Sequence, residues 1–144
     1  MNSIIPYLTF DGNCEEAFNF YKGIFGGEFN FMGRFSDMPS EEPLPEDEQN
    51  RVMHVSLPIG KKDVLMGSDT LPSQGDKEVV TGSNFSISAV PESQEEADNI
   101  FAALSEGGHV IAPMSKSFWG AYFGMLVDKF GIRWMINYDY PQEG

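Results

Sequence analysis

The same helix pattern occurs twice in this chain, 80 residues apart. Residues 13–16 (NCEE) and 93–96 (SQEE) each place a polar side chain three residues before a glutamate, an arrangement that caps a helix N-terminus. The apolar residues that follow have the spacing of one helix face in both copies: Ala17, Phe20, Tyr21 and Ile24, then Ala97, Ile100, Phe101 and Leu104. Glycine pairs at 26–27 and 107–108 then predict where each helix ends. The chain is therefore expected to fold from two similar halves.

Strands are predicted around each helix. They cover residues 4–10, 28–36, 51–59 and 64–68 in the first half, and 84–90, 110–115, 122–127 and 133–138 in the second. The run VLMGSD at 64–69 aligns with WMINYD at 134–139 at a shift of 70, so the ten residues lost from the second half match an acidic insertion, residues 37–50. Residues 60–63 and 129–131 predict hairpin turns. The fold class is α+β: one domain with two tandem βαβββ repeats, about residues 1–75 and 80–140, in a cupped mixed or antiparallel sheet with its helices outside.

Alternation along the strands predicts which side chains face away from the helices, because neighbouring residues point to opposite faces. The residues expected against the helices are apolar: Met53, Val55, Leu57, Phe85, Ile87, Ala89, Phe123, Met125, Val127, Trp134 and Ile136. The opposite face is mostly polar: His54, Ser56, Asn84, Ser86, Ser88, Tyr122, Gly124, Arg133, Met135 and Asn137. A polar face of this kind predicts a binding cleft, and a solvated outer surface would give the same alternation.

Composition limits the partners and the chemistry. A net charge of -13 disfavours binding to nucleic acid and to anionic membranes. Cys14 is the only cysteine, so neither an intramolecular disulfide nor a thiolate metal cluster is expected. The N-terminal residues lack the pattern of a signal peptide and no apolar run is long enough to span a membrane, which predicts a cytoplasmic protein. The acidic insertion is interpreted either as a mobile, solvated loop or as a lip that attracts a cationic ligand.

Three segments carry a family resemblance: PYLTFDGNCEEAFNFY at 6–21, VLMGSD at 64–69 and SFWGAYFGMLVDKFGIRWMIN at 117–137. They resemble the PhnB-like branch of the vicinal-oxygen-chelate superfamily, which includes glyoxalase, bleomycin-resistance and dioxygenase-like proteins. The resemblance covers nearly the whole chain and implies a homodimer. Some relatives of this branch carry a quinone-methyltransferase label, but the sequence has no methyl-donor nucleotide motif.

Metal-using members of the superfamily hold a divalent cation with four side chains, usually His, Gln or Glu, at equivalent strand positions. The resemblance carries these positions onto Pro6, Leu65, Ser86 and Met135. None of these four is a strong ligand for such a cation, so no metal and no other cofactor is predicted. A divalent metal held at another site remains the alternative.

Several residues are candidates for a site. His54 is the candidate catalytic residue, as a general base or substrate contact, with a hydrogen-bonded structural role and metal ligation as the alternatives. Trp119 and Tyr122 predict an aromatic shelf for a flat ligand, or else packed aromatic residues. Cys14 at a helix start would gain some thiolate character from the helix dipole, but no partner base is in view, so an inert residue is expected. The predicted ligand-binding residues are Ser56, Leu65, Asp69, Asn84, Ser86, Ser88, Trp119, Tyr122, Arg133, Met135 and Asn137, with a structural ion pair between Asp69 and Arg133 as the alternative for those two.

Three functions are compatible with these patterns. The first is a protein that binds a small organic molecule in the cleft of a homodimer, without the usual superfamily metal ligands. The second is an enzyme of the isomerase, lyase or dioxygenase type, with an unconventional metal site or with His54 as proton carrier. The third is a structural or protein-binding role, which predicts no concave pocket.

Overall fold

The computed structural model describes residues 1–38 and 42–141. The chain divides into two compact units, Met1–Val80 and Thr81–Gly144, and both have the strand-helix-strand-strand-strand order that the repeat predicts. No helix in the described ranges is long and apolar enough to cross a membrane.

The first unit contains one long helix and one four-stranded sheet. Its elements are β1 (Tyr7–Phe10), α1 (Cys14–Phe25), β2 (Phe31–Arg34), α2 (Glu46–Gln49), β3 (Val52–Ile59) and β4 (Asp63–Asp69), with short 3-10 helices at Phe35–Asp37 and Pro72–Gln74. The strand order is β1-β4-β3-β2, in which β1 and β4 are parallel and the other pairs antiparallel. The sheet is therefore mixed, as predicted.

Helix α1 packs on one face of this sheet. Its buried side chains include Phe18 and Tyr21, and it packs against β3, whose Val55 and Leu57 are fully buried as the alternation predicts. Gly67 marks the closest approach, because a Cβ atom there would lie 2.7 Å from the Phe18 ring. Within residues 1–38 and 42–141, no helix packs on the opposite face of the sheet.

The second unit repeats this arrangement. Its elements are β5 (Ile87–Ala89), α3 (Gln94–Ser105), β6 (His109–Lys116), β7 (Ala121–Val127) and β8 (Arg133–Asp139), and the strand order is β5-β8-β7-β6. Strands β5 and β8 are parallel and the other pairs antiparallel. Trp134 and Ile136 are buried in the core, and the Trp134 indole donates a hydrogen bond of 2.9 Å to Asp128.

The two helix starts are built differently. Ser93 accepts a hydrogen bond of 3.0 Å from the Glu96 amide, which confirms the second predicted cap. Asn13 makes no side-chain cap, so the first predicted capping box is wrong. Asp69 takes that role instead, since one carboxylate oxygen accepts hydrogen bonds from the amides of Gly12 and Cys14 at 2.9 and 3.0 Å.

Two face assignments in the second unit are also wrong. Gly124 faces α3, because a Cβ atom there would lie 2.8 Å from the Phe101 ring, so Phe123 and Met125 face away from the helix. Phe85 lies before β5 and is exposed instead of packing against α3. The residue at the closest approach of the helix is a glycine, which is neither clearly apolar nor clearly polar. The alternation of apolar and polar residues along the strand therefore does not show which face it lies on.

The last strands of the halves correspond at a shift of 69, not 70. Leu65 and Trp134 both face a helix, whereas Met66 and Met135 both lie on the opposite face. A slip of one residue exchanges the two faces of a strand. The predicted pairing of Leu65 with Met135 is therefore wrong.

Part of the acidic insertion packs against its own unit. Glu48 of α2 is buried, and it accepts hydrogen bonds from the Ser73 amide, at 2.9 Å, and from the Ser73 hydroxyl. Gln49 donates a hydrogen bond of 2.9 Å to the Leu44 carbonyl. The interpretation as a solvated loop is therefore wrong for Glu48, while Glu46 and Asp47 are exposed and residues 39–41 of the insertion lie outside the described residues.

Candidate functional site

The face of the first sheet that α1 leaves uncovered carries the candidate site. Tyr7, Met66, Ser56 and Phe31 are direct neighbours in one row across β1, β4, β3 and β2. Thr9, Ser68, His54 and Gly33 lie two residues further along the same strands and on the same face. We call these eight residues the His54 face. None of them is Lys, Arg, Asp or Glu.

His54 lies among aromatic side chains on this face. The Tyr7 hydroxyl and His54 Nδ1 are 3.2 Å apart, and the two rings are stacked with centroids 5.7 Å apart and planes at 27°. On the other side, the Phe31 ring centroid lies 5.9 Å from that of His54 with planes at 36°. Tyr7 and Phe31 are 49% and 48% exposed. The face therefore presents two half-exposed aromatic rings on either side of an imidazole.

Gly33 makes room for Phe31. A Cβ atom at Gly33 would lie 2.7 Å from two atoms of the Phe31 ring, so the ring occupies space that any larger residue would fill. Normal carbon–carbon contacts are about 3.5–4.0 Å. The missing side chain thus lets Phe31 lie close to the sheet beside His54.

The hydrogen bond with Tyr7 occupies one of the two imidazole nitrogens of His54. A phenol that donates to Nδ1 leaves the proton of a neutral imidazole on Nε2, and the reverse direction makes Nε2 an acceptor. In both cases Nε2 is the nitrogen that can meet a ligand, since no described residue hydrogen-bonds to it. The arrangement can donate or accept one hydrogen bond and can stack a planar group.

The predicted residues of the first unit separate into two groups. His54 and Ser56 lie together on the His54 face. Leu65 is only 2% exposed and lies on the helix side, and Asp69 is buried there with its three hydrogen bonds to the amides of Gly12, Cys14 and Val52. Leu65 and Asp69 are therefore left out of the site, and the described part of the chain contains no ion pair between Asp69 and Arg133.

Tyr7 and Phe31 are not among the site residues predicted from the sequence. The alternation of Tyr7 with Leu8 and Phe10, which are buried, indicates that Tyr7 lies on the helix-free face, and this signal is present in the sequence. No comparable signal marks Phe31, because β2 is only four residues long and includes Gly33. The row of neighbours depends on the strand order, which periodicity along one strand does not reveal.

The second sheet also has a helix-free face, formed by Ser88, Phe123, Met125, Val127, Arg133, Met135 and Asn137. We call it the Arg133 face. Four of the predicted ligand-binding residues, Ser88, Arg133, Met135 and Asn137, are brought together there. Asn84 and Ser86 precede β5 without belonging to a strand.

The two residues of the predicted aromatic shelf, Trp119 and Tyr122, do not lie on the same face of the sheet. Tyr122 lies on the helix side, where its hydroxyl donates a hydrogen bond of 2.7 Å to Asp98 of α3. This hydrogen bond raises the pKa of Tyr122. Trp119 lies in the turn between β6 and β7, half-exposed, with its ring 5.5 Å from that of Phe123. Only Trp119 therefore adjoins the Arg133 face.

The residues at the superfamily's metal positions do not fit a metal. With the corrected shift, the outward positions are the neighbours Tyr7 and Met66 in one sheet and Ser88 and Met135 in the other. A phenol, two thioethers and a hydroxyl form a poor ligand set for a hard or borderline divalent cation. Among residues 1–38 and 42–141 no group of three or more His, Cys, Asp or Glu side chains could hold a metal ion either.

Cys14 is not a reactive thiol. It is fully buried, and this burial, together with the negative charges of Asp69 and Glu15, strongly raises the pKa of its thiol. This agrees with the inert residue expected from the sequence, because desolvation outweighs the thiolate character that the field of the helix N-terminus would give.

The first unit also has an open cavity of about 540 Å³ that residues of the acidic insertion partly line. Its lining includes Phe35, Met38, Leu44, Gln49 and Leu71. None of the predicted site residues lines it, so it is separate from the His54 face.

Comparison with known proteins agrees with this fold. A family model described as 3-demethylubiquinone-9 3-methyltransferase matches residues 2–137. Protein YjdN of Escherichia coli K12 is 32% identical over 140 residues, which are 92% of each chain. The crystal structure of protein PA1353 from Pseudomonas aeruginosa is 40% identical and has a TM-score of 0.84 over 96% of this chain and 98% of that one.

A PhnB protein from Bacillus cereus is 25% identical, with a TM-score of 0.76 over 95% of this chain and 99% of that one. A glyoxalase/bleomycin resistance protein/dioxygenase family enzyme from Burkholderia phytofirmans PsJN shares the fold at 16% identity and a TM-score of 0.59, over 96% of this chain and all of that one. These matches confirm the resemblance carried by the three sequence segments. The chain therefore belongs to the family of the matching model, the PhnB-like family, and it shares the fold of the glyoxalase/bleomycin resistance/dioxygenase protein.

Proposed function

We propose that this protein binds a small, flat organic molecule on the His54 face, without the metal ligands usual in its superfamily. The observation that carries the proposal is the half-exposed pair Tyr7 and Phe31 on either side of His54. Exposed aromatic surface gains free energy when it is covered, and each ring contact adds about 0.5–1.5 kcal/mol beyond the area that it buries. A planar ligand that contacts both rings would be stabilised by both contacts.

The chemistry of the His54 face narrows the ligand. Because the face has no permanently charged side chain, the part of the ligand in contact with it is expected to be uncharged. His54 Nε2 can make one hydrogen bond to a polar substituent, and Met66 supplies an adaptable apolar floor. A flat ring with a carbonyl or hydroxyl group at its edge fits these properties.

A second candidate function is proton transfer on such a ligand, with His54 as the base. The contact between Tyr7 and His54 favours it when Nδ1–H donates to the Tyr7 oxygen, because Nε2 is then free to accept a proton and the ring is oriented by a partner on its other nitrogen. Ligands that bind would be incubated with the protein in heavy water. Exchange of a ligand C–H proton for deuterium that requires His54 would favour the enzyme, and the absence of exchange would favour simple binding.

The name of the matching family model does not transfer its activity to this chain. Methyl transfer from a nucleotide donor is associated with a doubly wound sheet and a glycine-rich turn at a helix start. Each sheet here has a single parallel pair, β1 with β4 and β5 with β8, and the turns before α1 and α3 hold no such motif. We therefore base the proposal on the His54 face alone.

The proposal is tested by screening small aromatic compounds with a thermal-shift assay and measuring the affinity of those that stabilise the protein. His54→Ala and Phe31→Ala are each expected to weaken binding about tenfold, the loss of one contact of roughly 1.4 kcal/mol. His109→Ala, which removes the other histidine, is the matched control and should bind like wild type. Equal affinity in all variants would rule out the His54 face.

The same proposal includes a homodimer and a cytoplasmic location. The homodimer is implied by the family resemblance. Sedimentation of the purified protein is expected to give twice the mass of one chain. A monomer would remove the homodimer from the proposal without affecting the His54 face.

A further inference from the structure

Arg133 differs from the other two arginines of this acidic chain. Arg34 forms an ion pair with Glu15, and Arg51 with Asp11 at 2.8 Å. Arg133 forms no ion pair within the residues that the structure describes, and its Nε atom is buried without a hydrogen-bond partner there. The chain has 22 acidic residues and 9 basic ones, so carboxylates far outnumber the cations that could pair with them. The donors of Arg133 are therefore unused by the described part of its own chain.

Arg133 begins β8 and lies on the Arg133 face. Its neighbour Trp134 points to α3, so the Arg133 side chain starts from the opposite side of the sheet, across from Val127. Met135 is next on the same face, about 6.6 Å along the strand, and Met125 and Ser88 flank it. A cationic group therefore borders a strip of two thioether side chains.

This combination suits one kind of ligand. A guanidinium group is planar and forms two parallel hydrogen bonds to a carboxylate, and Nε is one of its donors. A buried donor without a partner is unfavourable, and a rotamer change that turns the group toward a bound anion would relieve it. Methionine side chains adapt to apolar groups of different shapes. The ligand expected here has a carboxylate at one end and an apolar body.

We propose that Arg133 binds the carboxylate of a small organic anion whose apolar body lies on Met135 and Met125. The site uses residues of the second unit only, so it does not depend on the function proposed for the His54 face. The two proposals also differ in the charge of the ligand, which lets one experiment separate them.

Benzoate is the probe. Acetate, which lacks the apolar ring, and benzamide, which lacks the charge, are the matched controls. In the wild-type protein with labelled arginine and methionine, benzoate is expected to shift the NMR signals of Arg133 Nε–H and of the Met135 and Met125 methyl groups. Acetate and benzamide are expected to bind at least about tenfold more weakly, since each lacks one of the two contacts. Benzoate shifts confined to the His54 ring, or no shifts at all, would overturn the proposal.

Variants supply a second test. Arg133→Gln is expected to reduce benzoate binding to the level of benzamide, and Arg133→Lys to give intermediate affinity because an ammonium lacks the planar pair of donors. Lys116→Gln removes one positive charge from the same unit but on the helix side, since Lys116 lies beside Tyr122 and its Nζ is 5.4 Å from the Tyr140 ring. It should bind benzoate like wild type. Equal loss in Lys116→Gln would mean that net charge, not Arg133, governs binding and would refute the site.

Discussion

Replacing Gly33 with alanine perturbs the candidate site through a single methyl group. The new Cβ would lie 2.7 Å from the Phe31 ring, so the ring has to move by about 1 Å to reach a normal contact distance. Phe31 is 48% exposed and can move into water, so the free energy of unfolding should change by no more than about 0.5 kcal/mol. The contact between Phe31 and His54 is lost, and aromatic contacts of this kind are worth about 0.5–1.5 kcal/mol. Ligand affinity should therefore fall about two- to tenfold.

Gly67→Ala is the matched control, because its Cβ would meet a neighbour at the same distance on the other face. There it would lie 2.7 Å from both the Leu8 carbonyl oxygen and the Phe18 ring. Phe18 is fully buried and the carbonyl belongs to the parallel ladder between β1 and β4, so neither can move away. Overpacking of this kind costs about 1–3 kcal/mol. Tm should fall by several degrees, roughly 5–10 °C.

Thermal unfolding followed by circular dichroism measures the stability of both variants, and proton NMR of the His54 ring reports the position of Phe31. Gly33→Ala should keep a Tm within about 2 °C of wild type while shifting the His54 ring signals. Two results would refute the reasoning. They are a loss of stability in Gly33→Ala as large as that in Gly67→Ala, and His54 signals that do not change.

Three further predictions concern residues that the structure removes from the site. Asp69→Asn should destabilise the protein by about 2–4 kcal/mol, because an amide NH₂ cannot accept a hydrogen bond from a backbone amide, and chemical denaturation measures this. A change of less than about 0.5 kcal/mol would contradict the capping role of Asp69. Cys14 should resist alkylation in the folded protein at mildly alkaline pH and react only on unfolding, because burial raises the pKa of its thiol. Tyr122→Phe should leave ligand affinity unchanged, since its hydroxyl bonds to Asp98 on the helix side, and a loss of affinity would return Tyr122 to the site.

Much of the fold could be predicted because it depends on local signals. The second helix has its predicted cap at Ser93, and Gly26, with φ of 81°, ends α1 where the glycine pair predicts. The start of α1 could not be predicted in the same way. Its amides bond to Asp69, which lies more than fifty residues away along the chain, so no pattern near Asn13 contains the information.

The candidate site was predicted only in part for a related reason. His54 and Ser56 follow from alternation along β3, which is eight residues long. Tyr7 and Phe31 come from β1 and β2, and they meet His54 because of the strand order and because Gly33 leaves space. Predicting the register of β8 also requires knowing which of its side chains is buried in the core. An alignment of similar residues placed Met135 opposite Leu65, whereas burial of the large Trp134 side chain against the core sets the face.

The most direct test of the central claim is a proton NMR titration of the two histidine rings with an aromatic compound that stabilises the wild-type protein. The sequence has only His54 and His109, so the spectrum separates the proposed site from a position in the other unit, at the start of β6. Binding on the His54 face predicts that the His54 ring signals shift progressively with saturation, together with those of Tyr7 and Phe31, while His109 stays unchanged. Saturable binding that leaves the His54, Tyr7 and Phe31 signals in place would contradict the account.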